Sequence, residues 1–153
     1  MLRLYYSQDE IHTKRSDDSV EPMAIGCDIV EIARIREAAE RHPRFVERVF
    51  STAEIVECRQ KTNPWPSFAA RFAAKEAVIK AMPGDFVPPL TEMEILKDTT
   101  GKPQVHFTGL TAEYAAKSGW KRWAVSLSHE RTHAIATVIA WGRPEEGTNE
   151  CDW

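Results

Sequence analysis

The order of patterns along the chain predicts an α+β fold. Apolar runs with strand character and segments with helical spacing follow one another as β-α-α-α-β-β-α-β-β, without the regular alternation that a parallel sheet needs. An alanine-rich run free of Gly and Pro, Ser67 to Met82, supplies one long helix. A chain of 153 residues has room for one core and too little for two ordinary domains.

Residues 1–22 show no sustained periodicity and close on the polar cluster Ser16 to Pro22, so they are expected to form a loose N-terminal extension. Met23 to Val30 is short, apolar and β-branched at its end, as a buried strand would be, with Asp28 as its one charge. Ile32, Ile35, Ala38 and Ala39 then recur at helical spacing until Pro43. Ser51-Thr52-Ala53-Glu54 fits a capping box and starts a short helix, which Asn63-Pro64-Trp65-Pro66 is expected to break before the long one begins. Glu92 to Asp98 and Pro103 to Phe107 flank Thr99-Thr100-Gly101-Lys102 as a hairpin. Leu110 to Ser118 reads as a helix closed by Gly119, and Trp123 to Glu130 and His133 to Trp141 as two last strands. A domain over 23–142 and a flexible acidic tail over 143–153 are the resulting division.

The net charge of -3 disfavours a generic nucleic-acid binder. It is unevenly spread: residues 34–80 hold ten Lys/Arg against six Asp/Glu, a segment of +4, leaving a remainder of -7. Three cysteines, Cys27, Cys58 and Cys151, share no metal-ligand spacing, and an odd number cannot all pair within one chain. With no apolar run near the ~20 residues that span a bilayer, a cytoplasmic protein is expected.

Three places could carry chemistry. On the long helix, Glu76 and Lys80 at i,i+4 share one face, and Arg71 and Lys75 another. A solvated, ion-paired surface is the ordinary explanation. The alanines Ala69, Ala73 and Ala77 near Glu76 argue instead for close packing or an approaching ligand. A carboxylate and an ammonium one turn apart suit an anion held through a divalent cation. Asp28, a lone carboxylate in an apolar strand, needs a partner to offset its desolvation; an arginine, the backbone and a metal all remain open. In Val125-Ser126-Leu127-Ser128-His129-Glu130, strand alternation puts Val125, Leu127 and His129 on the core face, so His129 is either a hydrogen-bonded core residue or a functional group at the strand end. No P-loop, G-x-G-x-x-G or Ser/His/Asp pattern is present.

Ile25-Gly26-Cys27-Asp28-Ile29-Val30-Glu31-Ile32-Ala33-Arg34-Ile35, then Arg71-Phe72-Ala73-Ala74-Lys75-Glu76-Ala77-Val78-Ile79-Lys80-Ala81, then Val125 to Glu130, resemble in order and spacing the holo-acyl-carrier-protein synthases, the small 4′-phosphopantetheinyl transferases. Gly101-Lys102-Pro103 and the Phe45 to Glu54 stretch are similar to that family too. The resemblance implies a single domain with an antiparallel sheet wrapped around a long helix. It also implies transfer of the 4′-phosphopantetheine arm of coenzyme A to a serine of apo acyl carrier protein, with Mg²⁺, releasing adenosine 3′,5′-bisphosphate, in a homotrimer whose active sites lie between subunits.

Carried over residue by residue, Asp28 and Glu76 would hold the metal and Lys80 would contact the pyrophosphate. Arg71, Ser128 and His129 would meet coenzyme A, and Arg34 and Arg44 the acidic carrier protein. Glu76, or a water it orients, is the favoured general base, with His129 the second choice. Residues 1–22 and the loop Met82-Pro83-Gly84-Asp85-Phe86, with one glycine, depart from the family pattern. A non-catalytic coenzyme A or carrier-protein binding module is the alternative, disfavoured because Asp28, Glu76 and Lys80 are all intact. A metal-dependent nuclease with Asp…Glu-x-Lys fails because position 78 is Val.

Overall fold

The computed structural model describes residues 21–142; nearly all of the expected extension over 1–22 and the whole tail over 143–153 lie outside the described residues. The elements are β1 (Met23–Glu31), α1 (Ile32–Arg41), α2 (Phe45–Val49), α3 (Thr52–Arg59), α4 (Trp65–Ala81), β2 (Met93–Lys97), β3 (Pro103–Phe107), α5 (Gly109–Lys117), β4 (Arg122–His129) and β5 (His133–Trp141), with a 3₁₀ turn at Leu90–Glu92. The α+β reading holds. Two differences from the expected elements have local causes. The five-residue α2 is too short to show a helical period. Helix α4 begins at Trp65 because Pro66, placed in its first turn, lacks only an N–H that would have no intrahelical acceptor there.

Strands β1, β5 and β4 form one antiparallel sheet in that order, and β2 pairs with β3 as a separate antiparallel hairpin. Helix α4 lies against the inner face of the larger sheet. That face is built of small residues: Ala134, Ala136, Val138 and Ala140 are fully buried, as are Ala69, Ala73 and Ala77 of the helix. A Cβ on Gly26 of β1 would sit 1.8 Å from the Ala77 carbonyl oxygen, so strand and helix touch backbone to backbone. The alanines thus serve sheet packing, and no ligand is needed to explain them.

The capping box on α3 is formed, with the Ser51 hydroxyl accepting from Glu54 N–H at 3.3 Å and the Glu54 carboxylate accepting from Ser51 N–H at 2.9 Å. Gly119 adopts φ 81° just after α5, as a helix-ending glycine does. The outer face of the larger sheet is apolar and open: Met23, Ile25 and Ile29 of β1 are 72%, 68% and 63% exposed, beside Ile135 and Ile139 of β5. Among the described residues no helix is long and apolar enough to cross a membrane.

Candidate active site

The period of two along β1 turns Asp28 to the same side as Gly26 and Val30, toward α4. There the Lys80 ammonium donates to Asp28 Oδ1 at 2.8 Å and to the Cys27 carbonyl at 2.9 Å. Lys80 remains half exposed, whereas the Asp28 side chain is 19% exposed. Glu76, one turn back on α4, shares a cavity of about 390 Å³ with Asp28, Arg34, Phe45 and Phe72. Burial, with the Asp28 charge in second place, pushes the Glu76 carboxyl above the ordinary carboxylate range, and Lys80 opposes the shift. Two carboxylates facing one space, one of them reluctant to ionise, form a site that a divalent cation would relieve.

Among the described residues no three His, Cys, Asp or Glu side chains cluster as a complete metal site. The donor set nevertheless fits Mg²⁺, which is held by one or two carboxylates and completes its shell with phosphate oxygens and water. Asp28 and Glu76 would hold it, beside Lys80.

The other face of α4 is not a solvated surface. Lys75 is fully buried, and its ammonium donates to Glu54 Oε2 at 2.6 Å and to the carbonyls of Val49 and Leu90 at 2.8 Å each. Burial lowers its pKa, while the Glu54 charge works in the opposite sense. Arg71, 5% exposed, donates from Nε to the Ile95 carbonyl at 3.0 Å and from Nη2 to Glu57. Glu54 Oε1 in turn accepts from Ile95 N–H at 3.0 Å. The two acids of α3, spaced i,i+3, therefore meet two bases of α4, spaced i,i+4, and the backbone of β2. Sequence reading missed this pairing; the complementary spacing was its only local signal.

Arg71 also reaches a second cavity of about 580 Å³ between the β2–β3 hairpin and β4, together with Lys97, Lys102, Gln104 and Val125. Phe107 and Trp123 meet edge to face across the same two elements, with centroids 4.9 Å apart. Strand alternation along β4 is as expected: Trp123, Val125 and Leu127 are half-buried against the core, and Ala124, Ser126 and Ser128 are exposed. His129 is exposed at the strand end, so it is not a core histidine. Ser128 and His129 stand just past the residues that line the hairpin cavity.

After His129 the Glu130 carboxylate accepts from the backbone N–H groups of Arg131, Thr132 and His133 at 2.7 to 2.9 Å. The Thr132 hydroxyl, and with it these backbone bonds, holds its pKa down at about 2 and fixes the turn. Arg34 is exposed on the rim of the Asp28–Glu76 cavity, and Arg44 on a neighbouring groove; Phe45 lines both.

The fold and these positions define a class. A model of the 4′-phosphopantetheinyl transferase superfamily matches residues 24–138, and the chain belongs to that family. Within it the similar proteins are holo-acyl-carrier-protein synthases. That of Chlorobium limicola is 43% identical over 129 residues, 82% of this chain and 99% of that protein. That of Caldanaerobacter subterraneus is 38% identical over 120 residues, covering 77% and 94%. The crystal structure of the Neisseria meningitidis synthase superposes with a TM-score of 0.71 at 30% identity, covering 76% of this chain and 96% of that one. The Helicobacter pylori synthase, solved in complex with coenzyme A, gives 0.66 at 33% identity, covering 76% and 98%.

Proposed function

We infer that this chain is an enzyme that transfers the 4′-phosphopantetheine moiety of coenzyme A to a serine of apo acyl carrier protein and releases adenosine 3′,5′-bisphosphate. The observation that carries the reading is the meeting of Asp28 and Glu76 at one cavity, with Lys80 bonded to Asp28, in a fold shared with synthases about 40% identical over most of the chain. The transferase domain is taken as 23–142.

The proposed roles are consistent with the geometry. The Lys80 ammonium spends two hydrogen bonds on Asp28 and Cys27, and its third can meet an oxygen of the pyrophosphate as charge builds there. The serine oxygen attacks the β-phosphorus, the bond to the departing bisphosphate breaks, and the serine proton must leave. Glu76, or a water it orients, takes that proton. Mg²⁺ held by Asp28 and Glu76 would neutralise charge on the phosphoryl oxygens. Arg71, Ser128 and His129 are proposed contacts of coenzyme A. Arg34 and Arg44, exposed on adjoining rims, are the proposed docking groups for the acidic carrier protein.

A homotrimer is proposed as the working form, and the open apolar face of the larger sheet supports self-association. The cytoplasm stays the proposed location on the odd cysteine number; Cys27 and Cys58 are both free. The decisive assay incubates the protein with apo carrier protein, coenzyme A and Mg²⁺ and weighs the product. Glu76→Gln should fold and give no gain of the phosphopantetheine mass. Conversion by that variant at the parent rate would remove Glu76 from the chemistry.

A further inference from the structure

Resting on the reading of Arg71 as a coenzyme A contact, we propose that Glu57 is its positioning residue: the α3 carboxylate fixes the plane of the guanidinium at the hairpin cavity, so that Arg71 is aimed at a phosphate before the ligand arrives. The Arg71 side chain is 6% exposed and that of Glu57 29% exposed. Two anchors in different elements hold the fork. Nε donates to the Ile95 carbonyl of β2, and Nη2 donates to Glu57 Oε2. Nη1 has no hydrogen-bond partner among the described residues.

A planar guanidinium held at two of its nitrogens keeps the third in one direction, which is the pre-organisation a phosphate contact needs. The walls of that cavity carry Lys97 and Lys102 as well as Arg71, and no Asp or Glu lines it, so the space suits an anion. Glu57 stands behind the guanidinium. Its other oxygen, Oε1, accepts from Lys97 N–H at 3.4 Å. One carboxylate thereby joins α3 and α4 to the strand that carries a second cation of the cavity. The pair also compensates a buried cation that would otherwise turn outward for water.

A purely structural Glu57 would seal the edge of β2 and do nothing for the ligand, and kinetics separate the two roles. The variants are Glu57→Gln, Glu57→Asp, Arg71→Met and the double Glu57→Gln/Arg71→Met, each assayed for KM and kcat and for the calorimetric Kd of coenzyme A. Glu57→Gln should raise KM and Kd for coenzyme A about tenfold, equivalent to ~1.4 kcal/mol, with kcat and the KM for carrier protein within about twofold. Glu57→Asp should fall between parent and Glu57→Gln, and it serves as the test variant should the glutamine form not fold. The double variant should bind coenzyme A no worse than Arg71→Met alone, since Glu57 acts through Arg71.

An unchanged coenzyme A affinity in Glu57→Gln, with a lowered melting temperature and a weakened Arg71→Met, overturns the proposal and leaves the role of Arg71 standing. Tighter binding in Glu57→Gln would mean that the carboxylate competes with the anion, and overturns it too. Unaltered affinity in Arg71→Met removes the premise that Arg71 meets coenzyme A.

Discussion

Replacing Glu54 by glutamine keeps the shape of the side chain and removes its charge from a place where neither it nor Lys75 touches water. The ammonium would keep its two carbonyl acceptors and face a neutral amide. Removing one partner of a buried ion pair costs roughly 3–5 kcal/mol, and because the glutamine NH2 must face a donor, either Ile95 N–H or Lys75, the loss here is at least about 3 kcal/mol. In a domain of this size that corresponds to a fall in Tm of roughly 12 °C, read by scanning calorimetry at pH 7. Adding Lys75→Met should recover part of the loss, because the stranded charge is then gone.

The pH dependence has a definite sign. Burial places the folded pKa of Lys75 below its unfolded value of 10.5, so the native state binds fewer protons in that window and this group's contribution to stability rises with pH. Without the Glu54 charge the folded pKa drops further, and the gap between variant and parent should narrow from pH 7 to pH 10. A Tm loss below about 4 °C, or a double variant less stable than the single one, would refute the reasoning.

Gly26→Ala drives a methyl group into the Ala77 carbonyl, at 1.8 Å, and should destabilise by more than about 3 kcal/mol or leave the protein insoluble, as a denaturant titration would record. Arg34→Glu should raise the KM for carrier protein while leaving that for coenzyme A unchanged; equal effects on both would place Arg34 elsewhere. Cys58, fully buried and with its thiol pushed up to about 11 by burial, should resist iodoacetamide at pH 8 until denaturant is added, as peptide mapping would show.

The parts of the fold legible in the sequence are those written locally. The capping box at Ser51, the hairpin turn around Gly101 and the period of two along β4 each need fewer than about ten neighbouring residues to be read. The spacing of Glu76 and Lys80 on one helix face was legible, but from the residues alone Asp28 stays open between an arginine, the backbone and a metal, and only the family resemblance joins the three. The surroundings of Arg71 and Lys75 were not legible. Their partners lie 14 to 26 residues away, at Glu57, Glu54, Val49, Leu90 and Ile95, and i,i+4 spacing alone cannot tell a wet charged face from a buried one. The +4 segment is affected as well: two of its cations are neutralised internally by α3, and Lys80 by Asp28.

The acids of α3 have one more effect, on what the molecule can join. Strand β2 has β3 on one side only, and on the other its Ile95 and Lys97 N–H groups are received by Glu54 and Glu57 and its Ile95 carbonyl by Arg71. A strand arriving from another chain would find those backbone groups already engaged, so this edge cannot template the stacked growth that leads to fibrils. The opposite holds for the face of the larger sheet, whose apolar side chains are open. The chain thus leaves an apolar face open and blocks contact along an edge where addition would have no natural end.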